Sequence, residues 1–366
     1  MAKVNGSVLD CPPDTLPDGD ELIQAAMQWH FDPSTGSKYW LERAKSLKFD
    51  PRRDVRTFSD LKLFPNVVNE LRDVPVEDLV PRGFESLQEV LGVFESGGTT
   101  GAPKRVICTH DWMNRWLTWN TAELEKRGLP RRTHWLGMMP SGPHIFGAAL
   151  REQAARGGGL LLTIDMDPRW VKKCIAEGRV AEAGEYAAHL LKQTTFLLKT
   201  QNVGVLVTTP PLLERLARNE ELVDLIRKRV RFIQWGGAHM DADTRRVFRT
   251  EVFPGISLQG AYGSTMVLGG TVERMGLRDD DPCIFDPFSP YISFSVVDPT
   301  TGNNVAYGER GQVVMNHVSK GMFLPNNLER DMATRIAPPA GQMGDSVADV
   351  GPVARFDDEV VIEGVY

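Results

Sequence analysis

The chain has 366 residues, which is enough for two average domains or one large α/β unit and excludes a small fold. Hydrophobic residues make up 42% of the sequence and charged residues 25%, which argues against a disordered or fibrous protein. The formal net charge of −6 gives no general attraction to nucleic acid or to an anionic membrane, so neither is expected as a partner.

The cysteines and the N-terminus indicate a reducing compartment. The four cysteines lie far apart and form no C-x-x-C pair, so neither a zinc site nor a disulfide framework is predicted. Residues 1–20 lack the basic start and apolar run of a signal peptide, and no window approaches the ~18 apolar residues of a membrane span. We therefore predict a cytoplasmic protein.

Three regions follow one another along the chain. Residues 1–90 are predicted to form a helical N-terminal lobe, because helical periods alternate there with proline-rich breaks. Residues 91–275 are predicted to form an α/β nucleotide-binding core with a parallel sheet, whose ligands favour the loops at the carboxyl ends of strands. The predicted core strands are 160–164, 203–207, 231–235 and 256–259, and the predicted helices between them are 186–198, 211–219 and 242–253.

Residues 276–366 are predicted to form a β-rich subdomain. The helical period disappears there, and 291–297 and 311–315 are typical of antiparallel strands joined by a turn at 298–304. No internal repeat, low-complexity tract or flexible linker is found, so we expect one compact body.

A glycine-rich segment after the apolar stretch 91–94 gives the strongest local signal. Its glycines let the backbone turn tightly and present N–H groups to a polyanion, its threonines add hydroxyl donors, and Lys104 adds a cation. A triphosphate fits such a loop. A Walker A loop is excluded, because Ala102 and Pro103 stand where that motif needs glycine and lysine. The alternative is a surface loop without a ligand. The segment reads Ser96-Gly97-Gly98-Thr99-Thr100-Gly101-Ala102-Pro103-Lys104.

This segment resembles the signature Ser/Thr-Ser/Gly-Gly-Ser/Thr-Ser/Thr-Gly-x-Pro-Lys of the ANL superfamily of adenylate-forming enzymes. Residues 235–238 and 259–265 are similar to two later family segments in the same order, although either one alone is also typical of a strand end and turn. The resemblance implies the family's N-terminal domain, with parallel α/β sheets and a barrel-like β-rich subdomain. It implies that Lys104 and Thr265 act on phosphates, and that ATP or AMP contacts Ser96, Gly97, Gly98, Thr99, Thr100, Gly101, Gly237, Ala238, Tyr262, Gly263 and Ser264.

The residue after Thr265 differs from the family. The family has a glutamate there that helps to hold magnesium, and this chain has Met266. A thioether is a poor partner for a hard cation that prefers oxygen. The use of Mg²⁺ is therefore in question, and its ligands are unknown.

The end of the sequence resembles the family's hinge segment. By that match, Arg355 approaches the ribose or a phosphate and Asp357 is the hinge residue. The family also grips the ribose hydroxyls with an aspartate in an upstream Gly-Asp pair, for which Asp345 is the candidate despite its short spacing to Arg355. The alternative for Asp345 is an exposed turn.

The sequence ends at Tyr366, where the family's small C-terminal domain would begin. In the family that domain delivers a lysine to the adenylation site and later admits the thiol of coenzyme A or a carrier protein. We therefore expect this domain to be absent, with slow adenylation and little thioester formation. Either the chain is a shortened form, or a partner such as a reductase or acyltransferase uses the adenylate.

The loop after the predicted strand at 135–139 is assigned to the acyl side of the site. In the family an aromatic or histidine residue from this loop closes against the carboxylate, which implies this role for His144; the alternative is a structural histidine. Phe146, Trp235 and Gly260 complete the predicted acyl pocket, and flat aromatic acids stack well on such faces. The sequence is also similar to phenazine antibiotic biosynthesis proteins of the adenylating type, which implies a substrate such as phenazine-1,6-dicarboxylate.

The function predicted from these resemblances is ATP-dependent adenylation of an aromatic carboxylate in antibiotic biosynthesis. The carboxylate attacks the α-phosphate and pyrophosphate leaves along the glycine-rich loop, with Lys104, Thr265 and His144 as catalytic candidates. The rival hypothesis is a module that still binds nucleotide and acid but has lost turnover. Met266 and the early end of the sequence motivate it.

Overall fold

The computed structural model describes residues 7–97, 102–352, 355–356 and 359–360. Its N-terminal part consists of short helices and 3₁₀ turns that are hydrogen-bonded to the β-rich part. Trp29 and Trp40 donate their indole N–H groups to the carbonyls of Lys320 and Phe323, each at 2.9 Å. The helices are α1 (Gly19–Phe31), α2 (Lys38–Ala44) and α3 (Pro51–Asp54), and the turns are Val8–Asp10, Phe58–Leu63, Glu70–Arg72, Val76–Leu79 and Leu87–Glu89.

Helix α1 shows how the sequence forms this part locally. Asp18 precedes it, and its carboxylate accepts hydrogen bonds from two N–H groups of the first turn, each at 3.0 Å. The buried side chains repeat at helical spacing, so one face of α1 packs on the core. These side chains are Leu22, Ile23, Ala26, Met27, His30 and Phe31.

An antiparallel hairpin carries the glycine-rich segment between its strands. The strands are β1 (Val90–Glu95) and β2 (Arg105–Thr109), and Glu95 lies opposite Arg105. Thr109 then caps the following helix, α4 (His110–Lys126), by accepting a hydrogen bond from the N–H of Trp112 at 3.2 Å. The segment therefore enters and leaves through two paired strands.

The α/β core contains a six-stranded sheet in the described part of the chain. Its strands are β3 (His134–Gly137), β4 (Leu161–Thr163), β5 (Val203–Thr208), β6 (Phe232–Trp235), β7 (Ser257–Ser264) and β8 (Gly269–Val272). The order is β4-β3-β5-β6-β7-β8; all neighbours are parallel except β7 and β8. β5 and β6 are buried along their whole length, as expected of apolar runs covered on both faces.

Helices connect the parallel strands, as the alternating pattern predicts. They are α5 (Ile145–Arg156), α6 (Pro168–Ala176), α7 (Val180–Thr200), α8 (Pro210–Ala217), α9 (Glu220–Arg229) and α10 (Ala242–Val247), which a π-helical turn extends over Phe248–Val252.

The β-rich part is an antiparallel sheet in the order β10-β11-β12-β13-β9, followed by a short separate hairpin. Asp298 accepts hydrogen bonds at 2.8 Å from two N–H groups of the turn that follows β10, so the predicted strand–turn–strand is confirmed. The strands are β9 (Ile284–Phe285), β10 (Ile292–Val297), β11 (Arg310–Val318), β12 (Phe323–Ile336), β13 (Ser346–Pro352), β14 (Arg355–Phe356) and β15 (Glu359–Val360).

The two main sheets face each other across a cleft. The carboxyl ends of β3, β5 and β6 lie on one side, and β12 and β13 lie on the other. The predicted mixed architecture, a parallel α/β sheet followed by an antiparallel β-rich part, is therefore confirmed, while the bounds of the three predicted regions stay a prediction. None of the helices in the described ranges is long and apolar enough to cross a membrane.

Candidate functional site

Two adjoining cavities occupy the cleft. The first lies between the ends of the parallel strands and the strands β12 and β13, and the second lies beside the ends of the glycine-rich segment. A ligand longer than either cavity can therefore extend through both. The residues that border both cavities are Gly97, Phe146, Gly263, Thr265, Arg330 and Asp331.

The two ends of the glycine-rich segment are hydrogen-bonded to each other. The N–H of Ser96 donates to the carbonyl of Lys104 at 2.9 Å, and the N–H of Lys104 donates to the Ser96 hydroxyl at 3.0 Å. Ser96, Gly97 and Lys104 all border the second cavity, as does Arg72, a cation that the sequence did not single out. The predicted contacts at Gly98, Thr99, Thr100 and Gly101 lie outside the described residues.

The predicted nucleotide segments meet at the junction of the cavities. Gly237 and Ala238 follow β6 and border the first cavity, Ser264 borders the second, and Thr265 borders both. The backbone of Gly237 has φ +79°, a conformation that a residue with a Cβ rarely adopts. The segment after β6 can thus bring its backbone close to a flat ring.

Tyr262 is fixed from the opposite sheet. It borders the first cavity, and its hydroxyl donates to the carboxylate of Asp331 on β12 at 3.0 Å. Burial and then the negative charge of Asp331 raise the pKa of Tyr262 well above its ordinary value, so the phenol stays protonated. The bond links β7 to β12 across the cleft.

The structure does not favour Asp345 as the ribose-binding residue. Its carboxylate is buried, accepts from the N–H of Val296 at 3.2 Å and pairs with Arg335 at 2.9 Å, away from both cavities. Asp349, four residues later on β13, is exposed and borders the first cavity instead. The Asp349 carboxylate accepts a hydrogen bond from the Thr334 hydroxyl at 3.4 Å, and the Gly-Asp pair alone did not distinguish it from Asp345.

The predicted hinge is described only in part. Arg355 lies in β14, which pairs with β15, and nothing beyond its backbone is described. Asp357 lies outside the described residues. The roles assigned to both residues stay predictions.

Three of the predicted acyl residues border the first cavity. His144 and Phe146 come from the start of α5, and Trp235 comes from the end of β6. The indole of Trp235 is buried, and its N–H has no hydrogen-bond partner within the described ranges. Aromatic rings thus form much of the wall of this cavity, whereas the indole N–H itself is buried behind it.

His144 stays neutral at physiological pH. Its pKa lies below the ordinary histidine value, first because the ring is removed from water and then because Arg169 and Lys172 are close. A neutral imidazole keeps one donor and one acceptor nitrogen for a carboxyl group.

Gly260 supports the first cavity without bordering it. A Cβ at this position would lie 2.8 Å from the Trp235 ring and 3.0 Å from the sulfur of Cys283, so glycine makes room for the indole. The role predicted for Gly260 in the acyl pocket stays a prediction. Nearby Glu273 is buried and pairs with Arg249 at 2.9 Å, which gives it a structural role.

Lys172 is a cavity residue that sequence reasoning missed. It lies on α6 and borders the first cavity, whereas its neighbour Lys173 is exposed. Only the helix orientation distinguishes the two lysines. No motif in the sequence predicted which one faces the cavity.

The described residues contain no cluster of three or more His, Cys, Asp or Glu side chains that is arranged to hold a metal. Met266 borders the second cavity, together with the carboxylates Glu329 and Asp331. Each of these carboxylates already accepts a hydrogen bond, from Asn327 at 2.7 Å and from Tyr262 at 3.0 Å. These two carboxylates offer oxygen ligands, but the described residues around them do not form a metal-binding cluster.

Comparison with known proteins gives one family match. The model described as "AMP-binding enzyme" matches residues 185–322, which include the segments at 235–238 and 259–265 but not the glycine-rich segment. No curated protein sequence matches the chain.

Solved structures of 2-hydroxyisobutyryl-CoA ligase share the fold. A postadenylation-state complex with R3-HIB-AMP is 14% identical, with a TM-score of 0.64 over 93% of this chain and 67% of the other. A thioesterification-state complex with 2-HIB-AMP and CoA is 16% identical, with a TM-score of 0.64 over 96% and 71%. The fold is therefore that of the ANL adenylate-forming N-terminal domain, as predicted. The family model covers residues 185–322 only, and neither it nor the structures indicate a phenazine substrate.

Proposed function

We propose that the chain uses ATP to convert a carboxylic acid to its acyl-adenylate in the two adjoining cavities. The observation that carries this proposal is the position of Thr265, which borders both cavities, with Lys104 at the second and His144 at the first. One cavity is suited to phosphates and the other to a flat acyl group. A reaction between an acid and a nucleotide needs such a junction.

The chemistry follows from this placement. A carboxylate oxygen attacks the α-phosphorus, a new carboxyl–phosphate bond forms, and the bond to the β-phosphate oxygen breaks to release pyrophosphate. Lys104 and the backbone N–H groups beside it stabilise the charge that collects on the departing phosphates. Thr265 holds the α-phosphate, and Asp349 binds the ribose hydroxyls in place of Asp345. If Mg²⁺ accompanies the nucleotide, the carboxylates Glu329 and Asp331 of the second cavity would hold it, and it would supply positive charge to the phosphates.

An aromatic acid fits the first cavity. His144, Phe146, Trp235 and Tyr262 all border it, and such rings favour stacked or edge-on contact with another ring. A phenazine carboxylate, in particular phenazine-1,6-dicarboxylate, is the substrate that we propose within this class.

The adenylate needs an acceptor. It is a mixed anhydride that water can attack, so the protein must shield it and pass it on. We propose a reductase or an acyltransferase as the companion enzyme. The chain would work in the biosynthesis of an antibiotic.

ATP–pyrophosphate exchange over a panel of acids tests the proposal. Phenazine-1,6-dicarboxylate, phenazine-1-carboxylate and benzoate should support exchange, and acetate should not. A binding module, the rival proposal motivated by Met266, would bind AMP in calorimetry but give no exchange with any acid. Exchange with acetate alone would retain adenylation and reject the aromatic substrate.

A further inference from the structure

Lys172 lies where the two cavities meet. Helix α6 begins after Asp167, whose carboxylate accepts hydrogen bonds from two N–H groups of its first turn, and Lys172 lies one turn further along. Its ammonium nitrogen is 3.5 Å from the position of a Cβ built on Gly97. Gly97 borders both cavities, so the ammonium reaches the edge of the phosphate region from the acyl side.

This ammonium has no carboxylate partner in the described part of the chain. Asp331 and Asp349 border the same cavity, where their carboxylates accept hydrogen bonds from the hydroxyls of Tyr262 at 3.0 Å and Thr334 at 3.4 Å. The nearby carboxylate of Glu95 is already shared by Arg169 at 2.7 Å and Arg105 at 3.0 Å. A half-buried cation is thus left without a compensating charge, which is costly unless a ligand supplies one.

Positively charged side chains around Lys172 make its positive charge still less favourable. Burial, and then the positive charges of Arg330 and Arg169, lower the pKa of Lys172 to about 8. His144 borders the same cavity, and burial followed by the charges of Arg169 and Lys172 lowers its pKa as well. Two arginines therefore disfavour the charged form of Lys172, and an oxyanion placed beside its ammonium would offset that effect.

We propose that Lys172 is the cationic centre of an oxyanion subsite at the junction of the two cavities. The oxyanion is a carboxylate of the acid or the α-phosphate of the nucleotide. These two groups repel each other as they approach, and an ammonium between them lowers that repulsion where it is greatest. The identity of the anion rests on the proposed function, whereas the subsite itself rests only on the geometry.

Binding to Lys172→Gln tests the subsite, with AMP, adenosine and benzoate as probes in calorimetry. We expect the Kd for AMP or for benzoate to rise about tenfold while the Kd for adenosine changes less than about twofold. A change for AMP alone identifies the phosphate, and a change for benzoate alone identifies the carboxylate. Unchanged affinity for both anions, or an equal loss for adenosine, would overturn the proposal.

Two matched variants accompany this test. Lys173→Gln makes the same charge change at the next residue, which is exposed and lies 5.7 Å from the Trp170 ring, and it should bind all probes normally. Lys172→Arg keeps the positive charge and should restore most of the anion affinity. If Lys173→Gln causes the same loss, the effect is general surface charge and the subsite is rejected.

Amine labelling tests the subsite without turnover. At pH 8 about half of the Lys172 amines are neutral, compared with roughly 0.3% of an ordinary lysine, so trinitrobenzenesulfonate should modify Lys172 first. Saturating AMP or benzoate should protect it, and peptide mass spectrometry reads the site. Labelling that neither anion slows would contradict the subsite. Protection without ATP–pyrophosphate exchange would retain the subsite and reject the proposed reaction.

Discussion

Charged side chains near the cleft differ in what surrounds them, and this decides what each substitution tests. Lys104 borders only the second cavity, and Lys172 borders only the first. Asp345 is buried against Arg335, whereas Asp349 is exposed at the rim of the first cavity. Loss of a rim charge should change ligand binding, and loss of a buried partner should change stability.

Replacing Lys104 with alanine should reduce ATP–pyrophosphate exchange by about 10²–10³-fold and change acid binding by less than about twofold. The reason is its position on the phosphate side, away from the first cavity. Exchange rates and the calorimetric Kd of the acid provide the two readings, with Lys173→Ala as the control. If the exchange rate and the affinity for the acid fell by equal factors, the assignment of Lys104 to the phosphates would be wrong.

Asp349→Asn and Asp345→Asn should separate ribose binding from stability. Asp349 has φ +49°, which asparagine tolerates, so its substitution should keep the fold and raise the Kd for adenosine about tenfold. Asp345→Asn should instead lower the free energy of unfolding by about 1 kcal/mol: Arg335 loses a charged partner, but burial, which raises the pKa of Asp345, already disfavours the carboxylate. Calorimetry and urea unfolding measure the two effects. If Asp345→Asn weakens adenosine binding without loss of stability, the original assignment to Asp345 is restored.

The strands and helices that hold the site contain positions where packing allows no side chain. Gly263 on β7 is such a position, because a Cβ there would lie 2.3 Å from the carbonyl oxygen of Gly269 on β8. Gly184 on α7 has nothing within 4 Å of its Cβ position. The same glycine-to-alanine change therefore has opposite consequences in the two elements.

Gly263→Ala should lower the free energy of unfolding by about 1–3 kcal/mol, because β7 and β8 must move apart. Gly184→Ala should raise it by roughly 0.5–1 kcal/mol, since alanine favours a helix interior. Denaturant unfolding of both variants gives the comparison. If Gly263→Ala left the free energy of unfolding unchanged, β7 and β8 would be able to move apart without cost.

Two buried histidines make hydrogen bonds between elements: His30 joins α1 to the residue after β11, and His317 joins β11 to the turn after β7. His30 donates to the carbonyl of Ser319 at 2.8 Å, and His317 donates to the carbonyl of Val267 at 2.7 Å. Burial lowers the pKa of His30 to about 4 and that of His317 to about 3. Both rings are therefore neutral in the folded state at pH values where the unfolded chain would protonate them.

Stability should fall as the pH drops below about 6.5, because the unfolded chain then binds protons that the folded state excludes. Each histidine should contribute about 1.4 kcal/mol per pH unit between pH ~6.5 and its folded pKa. Urea unfolding at pH 7, 6 and 5 measures this slope. His30→Gln keeps a hydrogen-bond donor but cannot titrate, so the free energy of unfolding should depend less steeply on pH in this variant. An unchanged dependence would show that His30 does not contribute to it.

Periodicity and local motifs predicted much of the fold, but they did not predict how side chains converge from distant strands. The segments 203–207 and 231–235 are short and mostly apolar, which is enough to predict buried parallel strands. Asp345 and Asp349 lie on or beside one strand, and its pairing with β9 and β12 decides which carboxylate is buried. Lys172 faces the cavity because of the orientation of α6, which depends on tertiary packing. Such information is not local in the sequence.

The whole molecule places its ligand between two sheets. Loop 236–240 after β6 and residues 349–352 of β13 border the first cavity from opposite sides. They already meet, because His239 Nδ1 donates to the carbonyl of Val350 at 2.9 Å. A nucleotide bound here would contact both sides and would have to be released before either side opened.

AMP should therefore slow amide hydrogen exchange on both sides of the cleft together. Saturating AMP should protect 236–240 and 349–351 by similar factors, about 100-fold at a concentration 100 times the Kd, because exchange then requires prior dissociation. The turn at 299–304 is remote from both cavities and serves as the internal control. Hydrogen exchange with mass spectrometry resolves these segments. Protection of only one side would show that AMP binds to a single sheet, and the two cavities would then not act as one site.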